Sequence, residues 1–174
     1  MAASCTYGGV MEEQARIGFV REMARKVLKK YGVAKPGTPA EDIAKGEGFD
    51  LVYRAWPNRV GALLLRAGKI IGVNSNHHPH RQRFSIAHEL GHYFLNHRQD
   101  DYEKGITLDN PPVGDDSSKI QNTEAHEFAS ELLVPLPIIK EAYKTVKDAK
   151  ALAEMFNVSL EVMFIALEKH KLLK

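Results

Sequence analysis

The chain has 174 residues, 44% hydrophobic and 26% charged, which suits one folded domain with a sizeable core and excludes disorder and fibrous repeats. Lys and Arg number 24 against 22 Asp and Glu, for a formal charge of +2. That balance is too even for the strong positive field of a typical nucleic-acid binder, and no apolar run approaches the roughly 18 residues that span a bilayer.

Residues 1–10 read as a loose tail. They hold the chain's one cysteine, Cys5, and no apolar leader segment precedes it. A lone cysteine forms no internal disulfide and excludes a Cys-only zinc site, so a reducing cytoplasm is the expected setting. Over 11–31, Ile17, Val20, Ala24, Val27, Leu28 and Tyr31 recur at helical spacing. The other face carries Arg16, Arg21, Arg25 and Lys26, which read as a solvated surface. Thr38, Pro39 and Glu41 predict a capping box opening a short helix that stops at Gly46 or Gly48.

Three stretches rich in Val, Ile and Leu follow at 49–54, 59–66 and 69–74. They predict an antiparallel meander. Pro79 suits a first helical position, and helix is expected from there to about His97. The polar run 98–121 reads as a loop, with Asp100, Asp101 and Glu103 as solvated acids. Helix resumes over 122–134, and two further apolar-periodic segments, 148–156 and 160–172, close the chain. The expected class is α+β, with a small antiparallel sheet beside a helical set. A single domain over 1–174 divides into the tail 1–10, N-terminal helices and sheet 11–78, helices and loop 79–134, and C-terminal helices 135–174.

Chemistry concentrates in His88-Glu89-Leu90-Gly91-His92, an HExxH string. On a helix, residues four apart stand on one face, so both imidazoles can hold one metal ion with Glu89 beside its bound water. Zinc suits nitrogen ligands and brings the pKa of bound water towards neutrality, and Glu89 then serves as general base. Ala87, Leu90 and Phe94 supply the packing face. A catalytic zinc needs a third protein ligand. In the helix 122–134, Glu127 falls opposite the apolar centre, toward water. Glu124 sits on the rim of the buried face and is the first choice, with Glu131 second.

The blocks Arg83-Phe84-Ser85-Ile86-Ala87-His88-Glu89-Leu90-Gly91-His92 and Glu124-Ala125-His126-Glu127-Phe128-Ala129-Ser130-Glu131-Leu132-Leu133-Val134-Pro135 resemble the ImmA/IrrE-like metallo-endopeptidases. The resemblance implies a zinc-dependent endopeptidase that cleaves a protein substrate, commonly a transcriptional repressor. Carried over by position, His88, His92 and Glu124 match the metal ligands and Glu89 the acid–base residue. Two positions depart from the family pattern. His126 stands for Asn and is read as a polar rim residue; Val134 stands for Met.

Tyr93, Tyr102, His97 and His126 are candidate oxyanion donors, a role that needs a positioned hydrogen. His77, His78 and His80 read as a polar turn before a helix rather than a second metal site. The C-terminal pair has near helix-turn-helix spacing, but Leu160, Glu161, Val162, Met163, Phe164 and Ile165 offer no polar, basic edge for reading bases, and core packing is expected instead. The alternative function is a non-catalytic regulator with a structural zinc site; a DNA-binding regulator ranks third.

Overall fold

Apolar spacing sets where this chain turns into helix or strand, and the computed structural model describes the outcome for residues 14–97, 106–111 and 119–173. The order is α1 (Ile17–Lys30), α2 (Ala40–Gly46), β1 (Asp50–Arg54), β2 (Ala62–Leu65), β3 (Ile70–Asn74), α3 (Pro79–Phe94), α4 (Lys119–Leu133), α5 (Leu136–Thr145), α6 (Ala149–Phe156) and α7 (Leu160–Lys169). The α+β class is borne out. Cys5, Asp100, Asp101, Tyr102 and Glu103 lie outside the described residues.

The antiparallel meander is not what forms. The sheet is mixed, in the order β1-β3-β2, with β3 parallel to β1 and antiparallel to β2. The reason lies in the connection 55–61, which is too long for a tight hairpin and carries the chain across to leave a central slot for β3. Buried Asn74 pins that crossing. Its Nδ2 donates to the carbonyls of Trp56, Pro57 and Val60 at 3.1, 3.1 and 2.7 Å, and its Oδ1 accepts from Trp56 N at 3.2 Å.

One sheet face turns Leu64, Ile71 and Val73 into the main core beneath the helices. The other is covered by Trp56, Val60 and Leu63, with Ile106 and Leu108 against them. Gly72 makes this second face possible, because a Cβ there would come within 2.6 Å of the Trp56 ring. The segment 106–111 is thereby docked on the sheet, with Trp56 Nε1 donating to Leu108 O at 3.0 Å.

Two contacts position α4. Against α3 it packs through small residues: a Cβ on Gly91 would lie 3.0 Å from Ala125 Cα. Against α1 it is held by ion pairs, Arg16 to Glu124, Arg21 to Glu127 and Arg25 to Glu131, at 2.8, 2.5 and 2.7 Å. The arginine face of α1 is therefore an acid-binding face rather than a solvated one. Glu127 likewise does not reach for water, since Lys169 also bonds it at 2.6 Å.

Thr38 does not cap α2. Its hydroxyl donates to Leu132 O at 2.7 Å, tying the start of α2 to the end of α4. Helix α5 is additional to the two C-terminal segments read from apolar spacing; Pro135 and Pro137 both fall at its N-terminus, where prolines are tolerated. In the C-terminal pair Met163 is buried as expected, together with Ala153 and Val158, whereas the core packing expected of Leu160, Phe164 and Ile165 does not occur and they are exposed. Among the described residues no helix is long and apolar enough to cross a membrane.

Candidate metal centre

Helix α3 opens with Pro79 in its first turn, and His78 accepts from His80 N at 3.2 Å as its N-cap. Two turns on, the HExxH residues meet the geometry their spacing demands. The Nε2 atoms of His88 and His92 stand 3.1 Å apart. Two nitrogens bound tetrahedrally at about 2.0–2.1 Å from one zinc would be separated by roughly 3.3 Å, so the pair fits the ion. Glu89, between them in sequence, is 8% exposed.

Helix α3 ends at Phe94, three residues earlier than expected, and Asn96 adopts a left-handed φ of 54°. Asn tolerates that conformation better than most residues. The turn it makes swings His97 back, so that His97 Nδ1 lies 3.0 Å from His92 Nδ1. Arg66 Nη2 clamps the same turn by donating to His92 O and His97 O at 2.5 and 2.9 Å.

Glu124 lies beyond His97, its Oε2 2.9 Å from His97 Nε2. Its Oε1 accepts from Arg16 N and Nε at 2.8 and 2.9 Å, and Oε2 accepts from Arg16 Nη2 at 2.8 Å. The Arg16 hydrogen bonds hold its pKa down to about 2, against the upward push of burial. A carboxylate only accepts, so His97 carries its proton on Nε2. Burial, outweighing Glu124, lowers the His97 pKa and keeps the ring neutral, leaving Nδ1 as an acceptor. His92 must then donate from Nδ1, and its Nε2 lone pair faces His88. The relay from Glu124 through His97 thus holds the proton of His92 on Nδ1 and its lone pair on Nε2.

The expected ligands His88 and His92 are brought together; the Glu124 carboxylate is joined to them through His97. Among the described residues, no three His, Cys, Asp or Glu side chains gather about one point as a cage.

The sequence model of the IrrE N-terminal-like peptidase domain matches residues 44–168. The chain belongs to this family. It is 31% identical over 133 residues to the radiation response metalloprotease IrrE of Deinococcus radiodurans, covering 75% of this chain and 39% of that protein. With the protein of the same name from Deinococcus deserti it shares 29% over 133 residues, covering 75% and 46%. The chain thus spans less than half the length of these relatives. A solved Mycobacterium tuberculosis transcriptional regulator shares the fold, with a TM-score of 0.63 at 19% identity over 89% of this chain and 46% of that one.

Within this IrrE-like frame the remaining candidates separate. Tyr93 OH accepts from Lys69 Nζ at 3.0 Å and its ring packs on Phe49, which directs it away from the histidine pair. His97 belongs to the relay. His126 is exposed and sets its ring edge against His88, with centroids 4.6 Å apart. His77 donates from Nε2 to Asn58 O at 3.0 Å, and His78 caps α3, so these two serve the turn. Sequence reasoning missed the roles of Arg16, Arg66 and His97. The signal for His97 was available: an Asn one residue before it, just past a helix carrying HExxH.

Proposed function

We propose that this chain is a zinc-dependent endopeptidase that hydrolyses a peptide bond in a protein substrate, with a transcriptional repressor in a reducing cytoplasm as that substrate. His88 and His92 hold the metal, and α4 supplies the third donor, for which Glu124 is the residue at the family's ligand position. What carries the reading is the 3.1 Å separation of two Nε2 atoms on the helix that bears the family's HExxH.

When bound, zinc supplies a Lewis acid that polarises the scissile carbonyl and makes its water acidic. Glu89 would be the group that accepts a proton from the attacking water and returns one to the leaving amine. The Glu124–His97 relay holds His92 in the orientation the ion requires. Among the described residues β1 and β2 are the outer strands of the sheet, and an extended substrate would pair along one of these edges.

Glu89→Gln should keep one zinc per chain while cleavage of a repressor encoded beside this gene, followed by fragment mass, falls by about 10²- to 10⁴-fold. Unchanged turnover would remove Glu89 from the mechanism.

A further inference from the structure

We propose that the outer edge of β1 is a self-association surface: a second copy of this chain adds its own β1 in antiparallel register, joining the two three-stranded sheets into one. The inference goes beyond the metallopeptidase reading, and its test is indifferent to whether the chain binds metal.

Strand β1 is an outer strand, paired in parallel with β3 alone. Asp50 N donates to Lys69 O at 2.8 Å, and Arg54 O accepts from Ser75 N at 2.9 Å. Residues 50 and 54 therefore turn their backbone groups inward. Backbone direction alternates along a strand, which sends the N–H and C=O groups of Leu51 and Tyr53 outward. Among the described residues no other strand meets them. Such an edge is a template for a further strand unless proline, lysine or a bulge blunts it. Asp50-Leu51-Val52-Tyr53-Arg54 has none of these, and its register against β3 is unbroken.

The strand is complementary to itself. A two-fold axis at Val52 sets Asp50 opposite Arg54, Leu51 opposite Tyr53, and Val52 opposite Val52 of the second copy. Leu51 and Tyr53 are the outward residues, so each such pair exchanges two N–H···O=C bonds. Asp50 and Arg54 share one sheet face and are exposed. Among the described residues neither side chain has an ion-pair partner. Moving the axis to Leu51 or Tyr53 sets Asp50 or Arg54 against Val52 instead, so charge selects the axis at Val52. The other outer strand, β2, has no charged residue between Ala62 and Leu65 and offers no such pattern.

A groove lined by Glu41, Lys45 and Phe49 runs beside residues 50–53 and leaves room for the added strand. Five residues a side is well short of the roughly 20–30 of a standard interface, so the dimer is weak, with a dissociation constant on the order of 10⁻⁵ to 10⁻⁴ M. With β1 taken, β2 is the outer strand left to a substrate.

Sedimentation equilibrium of the full chain, from about 1 µM to about 1 mM, should show monomer and dimer in exchange. Asp50→Arg and Arg54→Asp each turn two cross-strand attractions into two repulsions and should weaken the dimer at least about 10-fold. The double variant Asp50→Arg/Arg54→Asp restores complementarity and should associate like wild type. An equal mixture of the two single variants should form the mixed dimer. Thermal melts check that every variant is folded. In a Cys5→Ser background, Val52→Cys should give a disulfide-linked dimer with oxidised glutathione, because facing Cα atoms in a non-hydrogen-bonded pair lie about 4.5 Å apart. Tyr53→Cys, which faces Leu51, should not. A monomer throughout the range, single reversals as dimeric as wild type, or crosslinking through Tyr53→Cys rather than Val52→Cys would overturn the proposal. Protection of the Leu51 and Tyr53 amides by an added extended peptide in a monomeric chain would give the edge to substrate and overturn it equally.

Discussion

The two long contacts of α4 are built on opposite principles. Toward α3 it offers Ala125 to Gly91, so closely that a single added methyl would meet backbone at 3.0 Å. Toward α1 it offers three glutamates to three arginines, long side chains that reach across a gap and bend to fit. The first contact fixes a distance and tolerates almost nothing. The second fixes a charge pattern and tolerates small movements, because a flexible side chain absorbs them. The paired histidines of the HExxH string sit on the side of the rigid contact, where positions are held most closely.

Substitutions on the two sides should separate these behaviours. Gly91→Val, on the rigid side, should cost about 3 kcal/mol by overpacking and lower the melting midpoint by roughly 10 °C. Zinc affinity should fall with it. A melt within about 2 °C of wild type would show that the α3–α4 contact yields more than its geometry suggests.

On the charged side, Arg25→Met leaves the Glu131 carboxylate, fully buried, without its guanidinium. Breaking a buried pair costs about 3–5 kcal/mol, and the 42% exposure of Arg25 discounts this to about 2 kcal/mol. Leu136 N still donates to Glu131 at 3.2 Å. Adding Glu131→Gln should recover part of the loss, because a neutral amide is cheaper to bury than a lone charge. Denaturant melts that gave the same stability for the single and double variants would contradict this account.

The smallest effect concerns His170, which follows α7 beside the Arg21–Glu127–Lys169 cluster. Burial, and then the charges of Lys169, Arg21 and Lys140, lower its pKa to about 4 against the opposing pull of Glu127. The unfolded chain has an ordinary histidine near 6.5. Between those values the unfolded state binds a proton that the folded state refuses, so stability falls as pH drops from about 6.5 to 4. His170→Gln should flatten that part of the pH–stability curve, read by urea midpoints across the window. An unchanged slope would assign the acid sensitivity to other groups.

Much of the fold was legible because its signals are local. The stripe of α1, the proline that opens α3 and the HExxH spacing each follow from a few adjacent side chains. The missed helix α5 shows a limit of that approach: Pro135 and Pro137 break helix interiors but suit its first turn, and the same residues fit either reading. The sheet shows another. Strand positions were close to those observed, yet the order β1-β3-β2 depended on Asn74 holding the 55–61 crossing, a contact between residues 14 to 18 apart. Glu127 failed for a similar reason. A helical wheel knows which way a residue points, and not that Arg21 and Lys169 stand there.

By itself the sequence determined the metal-ready pair, because two residues four apart on a helix need no other element to bring them onto one face. It also determined family membership, carried by two short blocks. Only the tertiary structure decided what α4 brings to that pair. Where Glu124 and His126 stand relative to the histidines depends on the rotation of α4 about its own axis, and that rotation is set by Gly91 on one side and by Arg16, Arg21 and Arg25 on the other. Those partners are distant in the chain, and their joint effect exists only once the helices have packed.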